Sequence, residues 1–299
     1  MKRSNSNQKE GRSRTIRPDK RKPIALTPRD KEILVRVWQD KMLYTSQIAR
    51  IFFPSPEAAK ARLRKLWENG YLERSFLPTL IFHGSSEALY LLDRKGADIV
   101  SAKLGVDRNR ILQTIRYLKG KIEKKSFLLS LDHTLALAEF RIAFEEAARA
   151  HADVEYERWI PERMCQDKYS VYSFSEGKTT GKFRPDGYGQ YRYQGKPFSF
   201  FVEVDLGTMS RKAFEGKVVR YLDYSNSGRY EERYGTKFFR VLVATIGKGR
   251  LENLKRVTER HTDTIFWFTT LSHICRERFF DRIWQRAGKR GIYSLLDRT

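Results

Sequence analysis

Three carboxylates stand close together in one stretch of the chain, FRPDGYGQYRYQGKPFSFFVEVDLGT, residues 183–208. Asp186 follows a proline, whereas Glu203 and Asp205 interrupt an otherwise apolar run. Because side chains alternate along a strand, Glu203 and Asp205 are expected on the same face. Neighbouring carboxylates repel each other and are costly to bury without a compensating positive charge. We therefore expect a divalent cation or a cluster of basic side chains beside them.

The same stretch predicts two strands joined by a tight turn, with Asp186 on the first strand at the same end as Glu203 on the second. Three converging oxygen donors suit Mg²⁺ or Mn²⁺. The predicted metal ligands are Asp186, Glu203 and Asp205. A structural alternative stays open, because Pro185-Asp186-Gly187 is also a good turn sequence and Asp205 could cap the next helix or pair with Arg211.

Helices and strands alternate around these acids. SFLLSLDHTLALAEFRIAFEEAARA predicts a long helix, SRKAFEGKVVRYLDYS a shorter one, and KFFRVLVATI a buried strand. The order helix, three strands, helix, strand predicts an α/β domain with a mixed sheet over residues 127–299. His133, in the first helix, is expected to be structural, since no other histidine lies close enough in sequence to make a metal pair.

The N-terminal part of the chain predicts a different unit. Thr27 is a good N-cap with Pro28 at the first helical position, and Thr45 is expected to cap a second helix. A third helix follows the turn PSP, and two short strand-like pieces, YLERSF and ALYLL, come next. Three helices and a strand pair predict a winged helix-turn-helix over residues 25–105. A basic helix over residues 106–126 would connect it to the second domain.

The third predicted helix is apolar on one side and basic on the other, which suits the major groove of DNA. A solvated helix of a protein-interaction domain is the alternative. The predicted DNA-contacting residues are Lys60, Arg62, Arg64 and Lys65 on this helix and Arg74 on the strand after it.

The charge of the chain points to a polyanionic partner. The formal net charge is +23, and residues 1–126 hold 29 Lys and Arg against 13 Asp and Glu. Residues 1–24 are rich in Ser, Asn, Lys and Arg, which predicts a disordered tail that closes on DNA phosphates or only aids solubility.

Other classes are disfavoured by composition. No apolar run approaches the roughly 20 residues of a membrane span, and the basic N-terminus lacks the apolar core of a secretory signal. Two scattered cysteines, Cys165 and Cys275, predict neither a disulfide framework nor a zinc site. These features favour the cytoplasm and exclude a membrane partner.

Several strings together resemble the replication-relaxation family, found on bacterial plasmids and other mobile elements. RPDG, FFVEVDLGT and EGKVVRY carry the resemblance in the second half, and LTPRDKEIL, TSQIARIFF and ARLRKLWENGYLER are similar to that family's winged-helix start. LDHTLALAEFRIAF resembles its central helix. The resemblance covers roughly residues 26–245, and its most specific part is EVDLGT with Lys217-x-x-x-Tyr221 downstream. It implies a DNA-binding protein that acts in replication, relaxation or mobilisation.

The second half also resembles the PD-(D/E)xK nuclease fold in the order of its elements. The resemblance puts Asp186 and Glu203 at that fold's two metal-binding acids. Where the pattern has lysine two residues after the Glu, this sequence has Asp205, so Lys217 is the candidate replacement. Lys217-x-x-x-Tyr221 is similar to the Gln-x-x-x-Tyr signature of one nuclease branch. The resemblance implies metal-assisted phosphodiester hydrolysis, with Lys217 steadying negative charge.

Three functional hypotheses remain open. The first is a sequence-recognising protein that binds double-stranded DNA, and the second is an active Mg²⁺-dependent nuclease or nickase directed by the winged helix. The third is a non-catalytic assembly protein that recruits a replication or transfer enzyme. A homodimer is one open arrangement, because winged helices often bind two-fold sites. A relaxase built on clustered histidines is disfavoured, since the five histidines are dispersed.

Overall fold

A computed structural model describes residues 16–19, 22–76, 86–123, 128–173 and 177–297. The chain divides into two compact units, residues 1–123 and 124–299. Most of the predicted basic tail, namely residues 1–15, 20 and 21, lies outside the described residues. Within the part of the chain that is described, no helix is long and apolar enough to cross a membrane.

The N-terminal unit combines helices with a small antiparallel sheet of strand order β1-β3-β2. Its elements are α1 (Pro28–Asp40), β1 (Leu43–Tyr44), α2 (Thr45–Phe52), α3 (Pro56–Glu68), β2 (Leu72–Phe76), β3 (Ala88–Leu92), α4 (Arg94–Leu104) and α5 (Arg108–Glu123). Three helices followed by two paired strands are therefore present in the predicted order, and β1 adds a third strand beside β3.

Helix α1 begins as its sequence predicts. The Thr27 hydroxyl accepts a hydrogen bond from the Asp30 N–H, and the Asp30 carboxylate accepts one from the Thr27 N–H, which satisfies two free N–H groups at the start of the helix. Helix α3 begins at Pro56 after the Ser55 cap and gives way to Gly70 in the left-handed region.

The prediction that Thr45 caps α2 is wrong. The helix begins at Thr45 itself, and Tyr44 stands at the N-cap position. Because Tyr44 pairs with Leu89 of β3, the buried Thr45 hydroxyl lies against that strand and donates to the carbonyl of Ala88 at 3.2 Å. Strand pairing, which no local signal reports, therefore redirects this side chain.

The second unit is built on a six-stranded sheet of order β11-β10-β9-β8-β7-β4, with β5 and β6 paired separately. Strands β8, β9 and β10 run parallel and the other neighbours antiparallel, which confirms the predicted mixed sheet. Its elements are α6 (Leu128–Ala150), β4 (Val154–Pro161), α7 (Glu162–Cys165), β5 (Asp167–Ser173), β6 (Gly177–Phe183), β7 (Gly187–Tyr193), β8 (Lys196–Asp205), α8 (Arg211–Asn226), α9 (Arg229–Tyr234), β9 (Arg240–Thr245), α10 (Lys248–Thr258), β10 (Phe266–Thr270) and β11 (Gln285–Arg286).

The prediction that Asp186 lies on the first strand of the pair is wrong. Strand β6 ends at Phe183 and β7 begins at Gly187, so Asp186 lies in the break rather than on a strand. Pro185 has no N–H to offer a ladder, which favours an interruption here. The two pieces then join different sheets, since β6 pairs with β5 and β7 with β8.

Both faces of the six-stranded sheet carry a buried core. On one face α6 packs with strand residues and with aromatic residues after β10; on the other, α8, α9 and α10 cover the sheet. The first core includes Phe140, Phe144, Val202, Val204, Phe279 and Trp284. The second includes Phe201, Phe214, Val218, Tyr221, Tyr230, Val241 and Leu254. This three-layer arrangement makes strand β8 central and buried on both sides.

Candidate functional site

Strand β8 directs its two acids toward the same side of the sheet. Val202 and Val204 face the core beneath α6, and Phe201 faces the core beneath α8. By alternation Glu203 and Asp205 share the face of Phe201, as the sequence predicts. Each is only 3% exposed. Both buried carboxylates therefore require partners.

Glu203 finds its partners on helix α8. Lys217 Nζ forms an ion pair with Oε2 of Glu203, and the Tyr221 hydroxyl donates to Oε1 at 2.8 Å. Lys217 and Tyr221 are four residues apart, so both project from one side of the helix. The Lys217-x-x-x-Tyr221 spacing is thus the spacing of two contacts to one carboxylate.

Asp186 is fixed against β8 by its own backbone and side chain. Its N–H donates to the carbonyl of Val202 at 3.2 Å, and its Oδ2 accepts from the N–H of Val204 at 2.8 Å. His133 Nε2 lies 3.1 Å from the same Oδ2, and Lys217 Nζ lies 4.0 Å from Oδ1. Asp186 and Glu203 therefore converge on one ammonium group.

The arrangement separates the pKa values of the two acids. Burial alone would raise the pKa of Asp186, but the charge of Lys217, the contact with His133 and the Val204 N–H lower it to about 2. Burial raises the pKa of Glu203 to about 7, and the neighbouring Asp186 charge adds to that rise against the opposing effects of Lys217 and Tyr221. His133 and the Val204 N–H favour the charged form of Asp186, and that charge disfavours ionisation of the neighbouring Glu203, which separates the two pKa values.

The remaining members of this group respond to the same charges. Burial would lower the pKa of Lys217, but the two carboxylates raise it above the ordinary lysine value, so the ammonium stays protonated. The pKa of His133 is raised, because the Asp186 contact outweighs its burial. Burial and the Glu203 carboxylate raise the pKa of Tyr221 well above the ordinary tyrosine value.

Asp205 is held by a different cation. Arg250 of α10 donates to Oδ2 through Nε at 2.6 Å and to Oδ1 through Nη2 at 3.0 Å, and the Thr245 hydroxyl adds a contact at 3.2 Å. The partner of Asp205 is thus Arg250 rather than Arg211. Ser210, and not Asp205, caps helix α8. Within the described ranges, no group of three or more His, Cys, Asp or Glu side chains is placed to hold a metal ion.

The residues present fit a divalent cation in one respect. Asp186 and Glu203 already point oxygens at a single cation position, and Mg²⁺ commonly uses one or two protein carboxylates and keeps several waters. That position is taken by the Lys217 ammonium, so a metal ion would require Lys217 to move. Glu203, Lys217 and Tyr221 also line an open cleft of about 570 Å³, which gives the group access to solvent.

Sequence reasoning missed two partners of these acids. His133 was expected to be structural, yet it contacts Asp186 across 53 residues of sequence. Arg250 lies 45 residues beyond the carboxylate it binds. No local pattern marks either residue, since each contact depends on how a distant helix packs on the sheet.

The five predicted DNA-contacting residues have different surroundings. Lys60 and Lys65 are exposed on α3. Arg62 instead forms an ion pair with the fully buried Asp30 and donates to the carbonyl of Ala25 at 2.9 Å. Arg62 therefore ties α3 to α1.

The other two arginines are partly engaged. Arg64 Nε donates to Glu68 at 2.8 Å, and the Arg74 guanidinium lies 3.6 Å from the centre of the Trp67 ring. Both nevertheless line a groove of about 900 Å³ between α2, α3 and the β2–β3 pair, as do Lys60 and Arg50. Arg50, at the end of α2, was not predicted to contact DNA. In the sequence, only its position directly after the buried Ile48 and Ala49 indicates that it lies at the edge of the buried face.

A family model described as replication-relaxation matches residues 36–241, more than half of the 299-residue chain. The chain belongs to the replication-relaxation family. The match includes α3, both acids that contact Lys217, and the Lys217-x-x-x-Tyr221 pair. No curated protein and no solved structure shows significant similarity to this replication-relaxation chain.

Proposed function

We propose that this replication-relaxation protein binds double-stranded DNA in the replication or mobilisation of a mobile element, with its N-terminal unit acting as a winged helix-turn-helix. The observation that carries the proposal is the basic surface of α3, where exposed Lys60 and Lys65 adjoin a groove lined by Arg50, Arg64 and Arg74. Arginine and lysine side chains on one helix face are the groups that neutralise DNA phosphates and read base edges in the major groove.

The order of elements in this unit supports the same reading. A helix followed by a short turn and a second helix, with a strand pair behind them, is the arrangement in which the later helix enters the major groove. The family description adds replication to the proposal, and the net charge of +23 adds a polyanionic partner.

The test is a fluorescence anisotropy titration of labelled duplex DNA with the full chain. Lys60→Ala with Arg64→Ala is expected to weaken binding at least about tenfold, because two phosphate or base contacts are lost. Lys31→Ala with Arg94→Ala, two exposed residues of α1 and α4 that do not line the groove, removes the same charge and serves as the control. Equal affinity of the two double variants would place DNA binding elsewhere.

A second function, metal-dependent phosphodiester hydrolysis on a PD-(D/E)xK-like domain, is favoured by the convergence of Asp186, Glu203 and Lys217 at an open cleft. Asp186 and Glu203 would hold Mg²⁺ or Mn²⁺, whose chemistry is to polarise a phosphate and lower the pKa of a bound water. Lys217 would place its positive charge next to the phosphate oxygens. Asp205, engaged by Arg250, is left out of this role.

Cleavage of supercoiled plasmid DNA with Mg²⁺ or Mn²⁺ tests this second function. Wild type is expected to nick the plasmid, and Asp186→Ala and Glu203→Ala are each expected to abolish nicking while remaining folded by circular dichroism. Glu252→Ala, which removes an exposed acid of α10, is the control expected to nick as wild type does. Intact DNA binding without nicking in all four proteins would leave the first function standing and reject the second.

A further inference from the structure

The cleft beside Glu203 is lined by residues of β6, β8 and α8 and of the break between β6 and β7. It has a volume of about 570 Å³ and is bounded by the end of β6, the break before β7 and one side of α8. Its lining residues are Thr180, Lys182, Phe183, Arg184, Glu203, Lys217, Arg220 and Tyr221. Lys217 contacts Asp186 and Glu203, so the remaining cations of this cleft are a separate feature.

Three of the lining residues are exposed cations that the site above does not use. Lys182 comes from β6, Arg184 from the break, and Arg220 from α8. Among the residues that the structure describes, none of these three forms an ion pair, whereas Arg229, Arg233 and Arg250 of the same unit all do. Four positive side chains, counting Lys217, thus border one cleft.

The cleft offers little negative charge in return. Among the described residues that line it, the single acidic one is Glu203, which is 3% exposed and already contacts Lys217 and Tyr221. Like charges brought together without a counter-ion repel, and a bound anion removes that repulsion. Arginine and lysine side chains from separate elements around an open cleft are well suited to phosphate groups, which accept several charge-assisted hydrogen bonds.

We infer that Lys182, Arg184 and Arg220 form a second nucleic-acid site, which holds backbone phosphates of DNA next to Glu203 and Lys217. The inference rests on the proposed binding of DNA by this chain but concerns a different unit from the winged helix. A repeating backbone fits better than an isolated anion, because the cleft is open to solvent and its cations are spread over three elements. The contacts are to phosphate and carry no base sequence.

The test compares how DNA affinity falls with salt in full-length variants. Lys182→Gln with Arg184→Gln and Arg220→Gln is expected to reduce the slope of log affinity against log salt by about 2 to 3, since each phosphate contact contributes about 0.9. Arg276→Gln with Lys289→Gln and Arg290→Gln removes equal charge from exposed positions outside the cleft, and a smaller slope change is expected there. A charge-keeping variant, Lys182→Arg with Arg184→Lys and Arg220→Lys, is expected to retain the wild-type slope.

Equal slopes for the cleft variant and its charge-matched control would overturn the inference. Loss of affinity in the Lys60→Ala, Arg64→Ala protein alone would also overturn it while the winged-helix proposal stands. Loss in the cleft variant alone would support the inference and reject the winged-helix proposal. Binding of inorganic phosphate by wild type but not by the cleft variant, with DNA affinity unchanged by phosphate at constant ionic strength, would assign the cleft to a small phosphate ligand instead.

Discussion

His133 Nε2 lies 3.1 Å from Oδ2 of Asp186, which links helix α6 to the short segment between β6 and β7. The histidine side chain is 34% exposed, whereas that of Asp186 is 11% exposed. The contact thus places a partly solvated imidazole on a largely buried carboxylate. Its energetic weight should come from the hydrogen bond more than from buried area.

His133→Ala is expected to lower the free energy of unfolding by about 1 to 2 kcal/mol, because it removes one partner from a buried carboxylate. His133→Gln, whose amide can donate to the same oxygen, is expected to recover part of that loss. Urea denaturation followed by circular dichroism measures both. Identical losses in the two variants would show that imidazole packing, rather than the hydrogen bond, matters at this position.

Asp205 and Arg250 are expected to behave as a coupled buried pair. Arg250→Met should destabilise the protein by about 3 kcal/mol, because it leaves the Asp205 carboxylate without its cation in a position that is 2% exposed at the side chain. Asp205→Asn with Arg250→Met should cost less than Arg250→Met alone. A double-mutant cycle on unfolding free energies measures the coupling, and simple additivity would contradict it.

The ion pair between Asp30 and Arg62 is expected to make a contribution to the free energy of unfolding that is lost at low pH. Burial would raise the pKa of Asp30, but the hydrogen bonds from Arg62 and Thr27 and the Arg62 charge lower it below the ordinary aspartate value. A depressed folded-state pKa contributes stability above the unfolded value of about 3.9 and loses it as pH falls through the folded value.

The stability difference between wild type and Asp30→Asn should therefore be constant from pH 7 to about pH 5 and shrink below about pH 4. Thermal or urea unfolding at a series of pH values measures it, with Asp98→Asn, an acid in an exposed ion pair, as the control. A difference that stays constant down to pH 2.5 would mean that protonation of Asp30 does not affect the free energy of unfolding.

Lys217 should compete with divalent cations for the position between Asp186 and Glu203. Lys217→Met leaves two carboxylates without that charge, so Mn²⁺ is expected to bind about tenfold more tightly, a change of about 1.4 kcal/mol. Isothermal titration calorimetry and the Mn²⁺-induced shift in Tm both measure this without any cleavage assay. Lys212→Met, on an exposed position of the same helix, is the control. Unchanged Mn²⁺ affinity in Lys217→Met would mean that no ion uses this position.

The helices and strands that carry the site could be predicted from local sequence more accurately than the contacts between their side chains. The cap at Thr27 and the alternation of Glu203 and Asp205 with valines depend on residues within a few positions of each other, so they can be recognised from the sequence. Thr45 and Asp186 were misplaced for the opposite reason. A strand that pairs far along the chain redirected Thr45, and a sheet boundary displaced Asp186 from its predicted strand.

The sequence by itself determined that two carboxylates lie on one face of a buried strand, because side chains alternate along a strand. It also determined that Lys217 and Tyr221 project from one side of the next helix, because residues four apart share a helix face. Only the tertiary structure decided which charge each acid meets. Strand β8 lies between an antiparallel and a parallel neighbour, and this topology brings α8 over Glu203 and α10 over Asp205, while α6 brings His133 to Asp186. Electrostatic pairing depends on distance in space, and the helices packed on the sheet set that distance across gaps of 14, 45 and 53 residues.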